Sequence, residues 1–225
     1  MTTTHAQATP TRTSRDPLPG RRLVVGLALV YLAFFAALMA TGADRSADDD
    51  PAKLIADYNI GDVAIQLVVY GAVAAAAVLV FFGSALRALL VARTRQWTAD
   101  VAMLGFVVMG LTIVGFATTA LALHHAVDIG NTTVVQAINV LDTTNFPIAM
   151  LALTCAMIGT GITALREQML PRWLCWASIV LGVMAPLGEL GFAPFVLFPV
   201  WTVVVAGTIR MTMRAVRCGH GGADR

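Results

Sequence analysis

Six long apolar stretches, at 23–41, 63–86, 101–123, 146–165, 173–190 and 195–209, are separated by turns that are alternately basic and acidic. A hydrocarbon core about 30 Å thick is crossed by about 20 apolar residues at 1.5 Å rise, and most of the stretches reach or approach that length. No water reaches the backbone inside a bilayer, so each segment has to satisfy its own amides, and that selects helices. The expected fold is therefore all-α: a polytopic membrane protein built as a bundle of six transmembrane helices. Composition agrees, because 58% hydrophobic and 12% charged residues stand far from the roughly 45–50% and 25% of a soluble domain.

The cations set an orientation. Arg12, Arg15, Arg21 and Arg22 precede the first stretch; Arg87, Arg93 and Arg95 follow the second; Arg166 and Arg172 lie between the fourth and fifth; Arg210, Arg214, Arg217 and Arg225 follow the sixth. Of the 15 Lys and Arg, only Arg45 and Lys53 fall on the other side. The positive-inside rule then makes both termini cytoplasmic, in the plasma (inner) membrane, with Trp97, Trp173 and Trp176 anchoring helix ends at the inner boundary. The net charge of +2 reflects this bias and implies no nucleic-acid partner.

Residues 1–20, rich in Thr, Pro, Ser and Arg, read as a disordered cytoplasmic tail, 21–215 as the six-helix transmembrane domain and 216–225 as a second cytoplasmic tail. The apolar run from Arg21 exceeds the 7–15 residues of a typical signal-peptide core and is expected to stay as a span. Cys155 lies mid-span, while Cys175 and Cys218 belong to the inner side, so no structural disulfide is expected. The Cys218-Gly-His220 string offers two ligands near a terminus, too few for a metal site.

Small residues mark helix contacts: Gly71 with Ala75, Ala72 with Ala76, and Gly105, Gly110 and Gly115 let backbones approach. Pro147 lacks an amide and should kink the fourth helix near its outer end, leaving a carbonyl one turn earlier for Thr143 or Thr144 to satisfy.

Polarity concentrates at the outer end. His124, His125 and Asp128 close the third stretch, Gln136, Asn139, Asp142 and Asn145 lead into the fourth, Glu189 lies in the turn from fifth to sixth, and Asp57 and Asp62 enter the second. At 100° per residue Thr132, Gln136, Asn139, Asp142 and Thr143 share one helix face, with Val134, Ala137, Ile138 and Leu141 opposite. Counted back from Leu165, Asp142 lies about one turn above the hydrocarbon; a helix drawn inward to Val134 would bury it by roughly 12 Å, where a carboxylate is a functional residue by default. The shallow register is preferred.

His124, His125, Asp128, Asn139, Asp142, Asn145 and Glu189 form the candidate site. His124 and Asp128, four apart on one helix face, suit a divalent metal, a proton relay or a simple helix-end hydrogen bond, with His125 a further candidate ligand. Glu189, flanked by Pro186, Gly188, Gly191 and Pro194, needs a cation, a histidine, water or a proton. Asp48, Asp49 and Asp50 read as a solvated loop.

The chain lacks Gly-x-Ser-x-Gly, His-Glu-x-x-His and a phosphate-cradling glycine loop. Its sequence specifies neither catalytic residues nor a cofactor.

Phe81-Phe82-Gly-Ser-Ala-Leu-Arg-Ala-Leu89 and Ala164-Leu-Arg-Glu-Gln-Met-Leu-Pro-Arg-Trp-Leu-Cys-Trp176 resemble a group of uncharacterised six-span integral membrane proteins of actinobacteria. The resemblance runs from Asp57 to Arg214 and includes the Asn139, Asp142 and Pro147 spacing. Its members carry Gly where this chain has Cys175. The resemblance implies fold and location and brings no activity with it. Physically, Pro171, Arg172 and Trp173 restart a helix at the interface.

Three functions fit the residues. The first is a non-enzymatic bundle that binds lipid, a protein partner or a second copy of itself. A small transporter or a ligand, proton or metal sensor using the outer acidic and histidine cluster is the alternative. A metal-dependent membrane enzyme using His124, His125 and acidic partners is the third.

Overall fold

The computed structural model describes residues 21–41, 52, 55, 61–91 and 97–220. The expected tail 1–20, the cations Arg45, Lys53, Arg93, Arg95 and Arg225, and the acidic Asp48, Asp49, Asp50 and Asp57 lie outside the described residues, as do the side chains of Cys218 and His220.

The main elements are helices: α1 (Arg21–Thr41), α2 (Asp62–Leu90), α3 (Trp97–Ile129), α4 (Thr132–Thr144), α5 (Phe146–Glu167), α6 (Arg172–Met184), a 3₁₀ turn (Gly188–Gly191) and α7 (Phe192–His220). Among the described residues four helical runs are long and apolar enough to cross a membrane: Asp62–Leu90, Trp97–Ile129, Thr132–Glu167 and Gly188–Ile209. Arg22–Ala37 and Arg172–Met184 are shorter apolar helices.

The fifth stretch differs most from its expected extent. Helix α6 stops at Met184 instead of reaching 190: Ala185 still has helical angles, but Pro186 has no amide to continue the ladder and Gly188 turns the chain at φ +61°. Thirteen residues rise about 20 Å, less than a hydrocarbon core. At the other end of the chain α7 continues helically past position 215, where the tail was expected to begin.

Helix α3 packs along α2 on one side and α5 on the other; α1 lies against α2 and α7, and α6 against α5. The α3–α5 contact is close enough to need bare backbone. A Cβ on Gly105 would strike the backbone of Ala152 and Ala156, and one on Gly159 would lie 2.7 Å from both Ala102 N and Thr98 O. Thr163 donates to the Gly159 carbonyl at 2.7 Å and lies 2.7 Å from the Thr98 hydroxyl, so the polar groups in this dry crossing bond one another. A Cβ on Gly110 would lie 3.3 Å from the Ala76 carbonyl oxygen of α2, and Ala72, Ala75 and Ala76 are buried. Gly71 and Gly115, expected to serve the same purpose, have nothing within 4 Å of a built Cβ.

An aromatic layer joins the helices that lack small-residue seams. Phe198 and Trp201 of α7 stack with centroids 5.5 Å apart, Phe106 of α3 lies 6.4 Å from Trp201, and Tyr31 of α1 meets Phe198 edge-on at 6.1 Å. Trp201 Nε1 donates to Ser178 Oγ at 2.8 Å, tying α7 to α6. At the end of the bundle that carries exposed Trp97, Trp173 and Trp176, Arg87 of α2 pairs with Asp100 of α3 at 2.6 Å. There Gln168, at φ 52°, caps α5 through its amide to the Ala164 carbonyl, and Pro171 precedes the first residue of α6.

Candidate functional site

The opposite, polar end is assembled from the first turn of α2, the last turns of α3 and the whole of α4. Helix α3 ends at a Gly130 turn with φ +72°, and Asn131 then starts α4 by accepting a hydrogen bond from Val134 N at 3.2 Å. Ile65, Ala120, Leu123, Ala126 and Val135 form a small apolar cluster that fixes the three helices there.

On that base stands His124, only 3% exposed although it closes an exposed helix end. Its Nε2 is 3.0 Å from Asp62 Oδ1 across the α2–α3 contact and 3.7 Å from Asp128 Oδ2 one turn along α3. The two carboxylates are 81% and 53% exposed. One ligating atom from each of the three residues lies within 4.8 Å of the others. Two anionic groups on one buried imidazole nitrogen form a donor set that a cation satisfies. His125 is exposed and its ring centre is 5.8 Å from that of His124; a one-residue step turns it away from the group.

The second polar contact lies one turn deeper. Thr119 of α3 donates to Asp142 Oδ1 of α4. Asn139 is 1% exposed on the same face, beside fully buried Val135, whereas Val140 and Leu141 are 48% and 56% exposed. Helix α4 thus turns Asn139 and Asp142 to the bundle together with Val135 and Ile138, and turns Val134, Val140 and Leu141 out.

The break expected at Pro147 occurs at Asn145. Its amide turns back to the Asp142 carbonyl at 3.2 Å, and α5 begins at Phe146 with Pro147 in its first turn. Thr143 and Thr144 donate to the Val140 and Leu141 carbonyls at 2.9 and 2.8 Å, one turn away from the carbonyl that Pro147 leaves without its amide. Glu189 is exposed within the 3₁₀ turn and is not part of the His124 group.

The structure therefore brings together His124 and Asp128 and adds Asp62; it joins Asp142 to Thr119; it leaves His125 and Glu189 exposed. Thr119 carries no sequence signal, since hydroxyl residues inside apolar helices commonly bond their own backbone, as Thr112 does to Val108. Comparison with protein-family models, with curated proteins and with solved structures finds no match.

Proposed function

We propose that this is a six-span protein of a bacterial plasma membrane with both termini cytoplasmic, and that it is a non-enzymatic bundle whose outer end receives an ion or small polar ligand. The observation that carries the reading is the change in chemistry along the helices. Contacts midway are apolar and backbone-close, and the tryptophan end adds the Arg87–Asp100 pair and the Thr98–Thr163 hydroxyls, whereas at the polar end α2, α3 and α4 meet over a small apolar cluster through His124 with Asp62 and Thr119 with Asp142, groups that water or a ligand can replace.

Exposed tryptophans beside Arg87, Arg166 and Arg172 support a cytoplasmic interface at that end. From Trp97, Thr119 lies about 33 Å along α3 and His124 about 40 Å. This count puts Asp142 near the far edge of a 30 Å core and His124 among headgroups and water, which supports the shallow register. Resemblance to the six-span actinobacterial group supports the span count, with α1 and α6 as the two shorter members. Cysteines replacing Asp49 and Thr132 should react with an impermeant thiol reagent from outside, and one replacing Thr94 should not; labelling of Thr94→Cys sinks the topology.

The functional reading is tested by hydrogen exchange of the detergent-purified chain between about pH 7.5 and 5.5, where histidine changes charge, and with added divalent cations. Exchange in 132–144 and in the first turn of α2 should respond to at least one of these, with the α3–α5 crossing unmoved. Uniform indifference rejects it. Exposed Val63, Leu67 and Tyr70, a stripe on the first turns of α2, favour the second reading, in which lipid, a protein partner or a second copy covers that face.

A further inference from the structure

We propose that Asp62, His124 and Asp128 bind one divalent first-row transition-metal ion, which clasps the start of α2 to the end of α3. The proposal rests on the ligand-receiving reading above and names its ligand class.

The triangle of donor atoms is close to the size an ion requires. Tetrahedral coordination at 2.0–2.2 Å separates neighbouring ligand atoms by about 3.3–3.6 Å. The two measured edges from His124 Nε2, 3.0 and 3.7 Å, bracket that value. The third edge, between the carboxylates, is at most 4.8 Å and closes by rotation of two exposed side chains on Cβ. The rigid member of the set is the imidazole, which is buried. The mobile members are the anions.

Donor chemistry narrows the ion. One imidazole nitrogen with two carboxylate oxygens suits Zn²⁺ or Mn²⁺, whereas Ca²⁺ prefers six to eight oxygens and Mg²⁺ keeps most of its water. Three protein ligands leave a fourth position, and the exposure of both carboxylates directs it to solvent. The ion neutralises two anions that otherwise face each other across an imidazole, and it joins residues 62 positions apart in the chain. Without it the His124–Asp62 contact spans that gap.

Equilibrium dialysis of the full, tag-free chain in detergent against Zn²⁺ and Mn²⁺, after chelator treatment, decides the matter. Wild type should bind one equivalent of at least one ion. Asp62→Asn and Asp128→Asn, which alter exposed groups and leave His124 in its packing, should each weaken binding at least tenfold; His125→Ala should bind as wild type does. Absence of stoichiometric binding overturns the proposal, and so does binding unchanged in Asp62→Asn and Asp128→Asn, which assigns the ion to other ligands such as Cys218 and His220. Should 132–144 respond to pH in hydrogen exchange while neither ion binds, the clasp fails and the ligand-receiving reading stands.

Discussion

The middle of the α2–α3–α5 core and its polar end are held by different means, although the polar end keeps a small apolar cluster and the tryptophan end its own Arg87–Asp100 pair. Midway and toward the tryptophan end, Gly105 and Gly159 bring α3 and α5 into backbone contact, and every added atom has to displace main chain. At the polar end the same helix α3 meets α2 and α4 through His124–Asp62 and Thr119–Asp142, with two of the three carboxylates in solvent. Close packing has no low-energy alternative, because the interior resists deformation. Exposed ion pairs contribute little and trade partners freely. Rigidity at the α3–α5 crossing therefore leaves the polar end as a place where the bundle can adjust.

Substitutions ordered by expected size test that contrast. Gly105→Val should cost about 3 kcal/mol or prevent folding, by overpacking against backbone, while Gly115→Val, in open space, should stay within about 0.5 kcal/mol; detergent unfolding and monodispersity report both. Trp201→Phe keeps the stacked ring and removes the indole donor to Ser178, for a loss of about 1 kcal/mol in the same assay. A double-mutant cycle of Thr119→Val and Asp142→Asn should return a coupling of about 0.6 kcal/mol, the usual worth of an interhelical hydrogen bond in membrane proteins; zero coupling would detach α4 from α3. Asp62→Asn should shift metal-free stability least, by under about 0.5 kcal/mol. A loss as large as that of Gly105→Val would erase the distinction between the crossing and the polar end.

Much of this architecture is legible in the residues, with instructive gaps. Helices α3 and α5 follow from unbroken apolar runs; of the α4 face expected from a 3.6-residue period, Asn139 and Asp142 do turn inward, but Thr132 and Gln136 are exposed and Ile138, expected opposite, packs inward. The truncation of α6 was written in Pro186 and Gly188, but the apolar Leu187 and Leu190 carried the hydropathy through the turn. Packing glycines were half-legible: Gly105 and Gly110 serve, Gly71 and Gly115 do not, since the rotation of a uniformly apolar helix is set by its neighbours and not by its own pattern. At the site, His124 and Asp128 declare their proximity through four-residue spacing. Asp62 and Thr119 join only through tertiary contacts, 62 and 23 positions from their partners, and no local rule reaches that far.

The inward turn of Asn139 and Asp142 on α4 bears on how the chain enters the bilayer. A 13-residue segment is too short to cross alone, and Asn139 and Asp142 weigh against its partition into lipid. Translation delivers Thr119 first, however, 23 residues ahead of Asp142. Helix α3 is thus already available as a template when α4 leaves the ribosome, and the nascent carboxylate meets a hydroxyl instead of bare hydrocarbon.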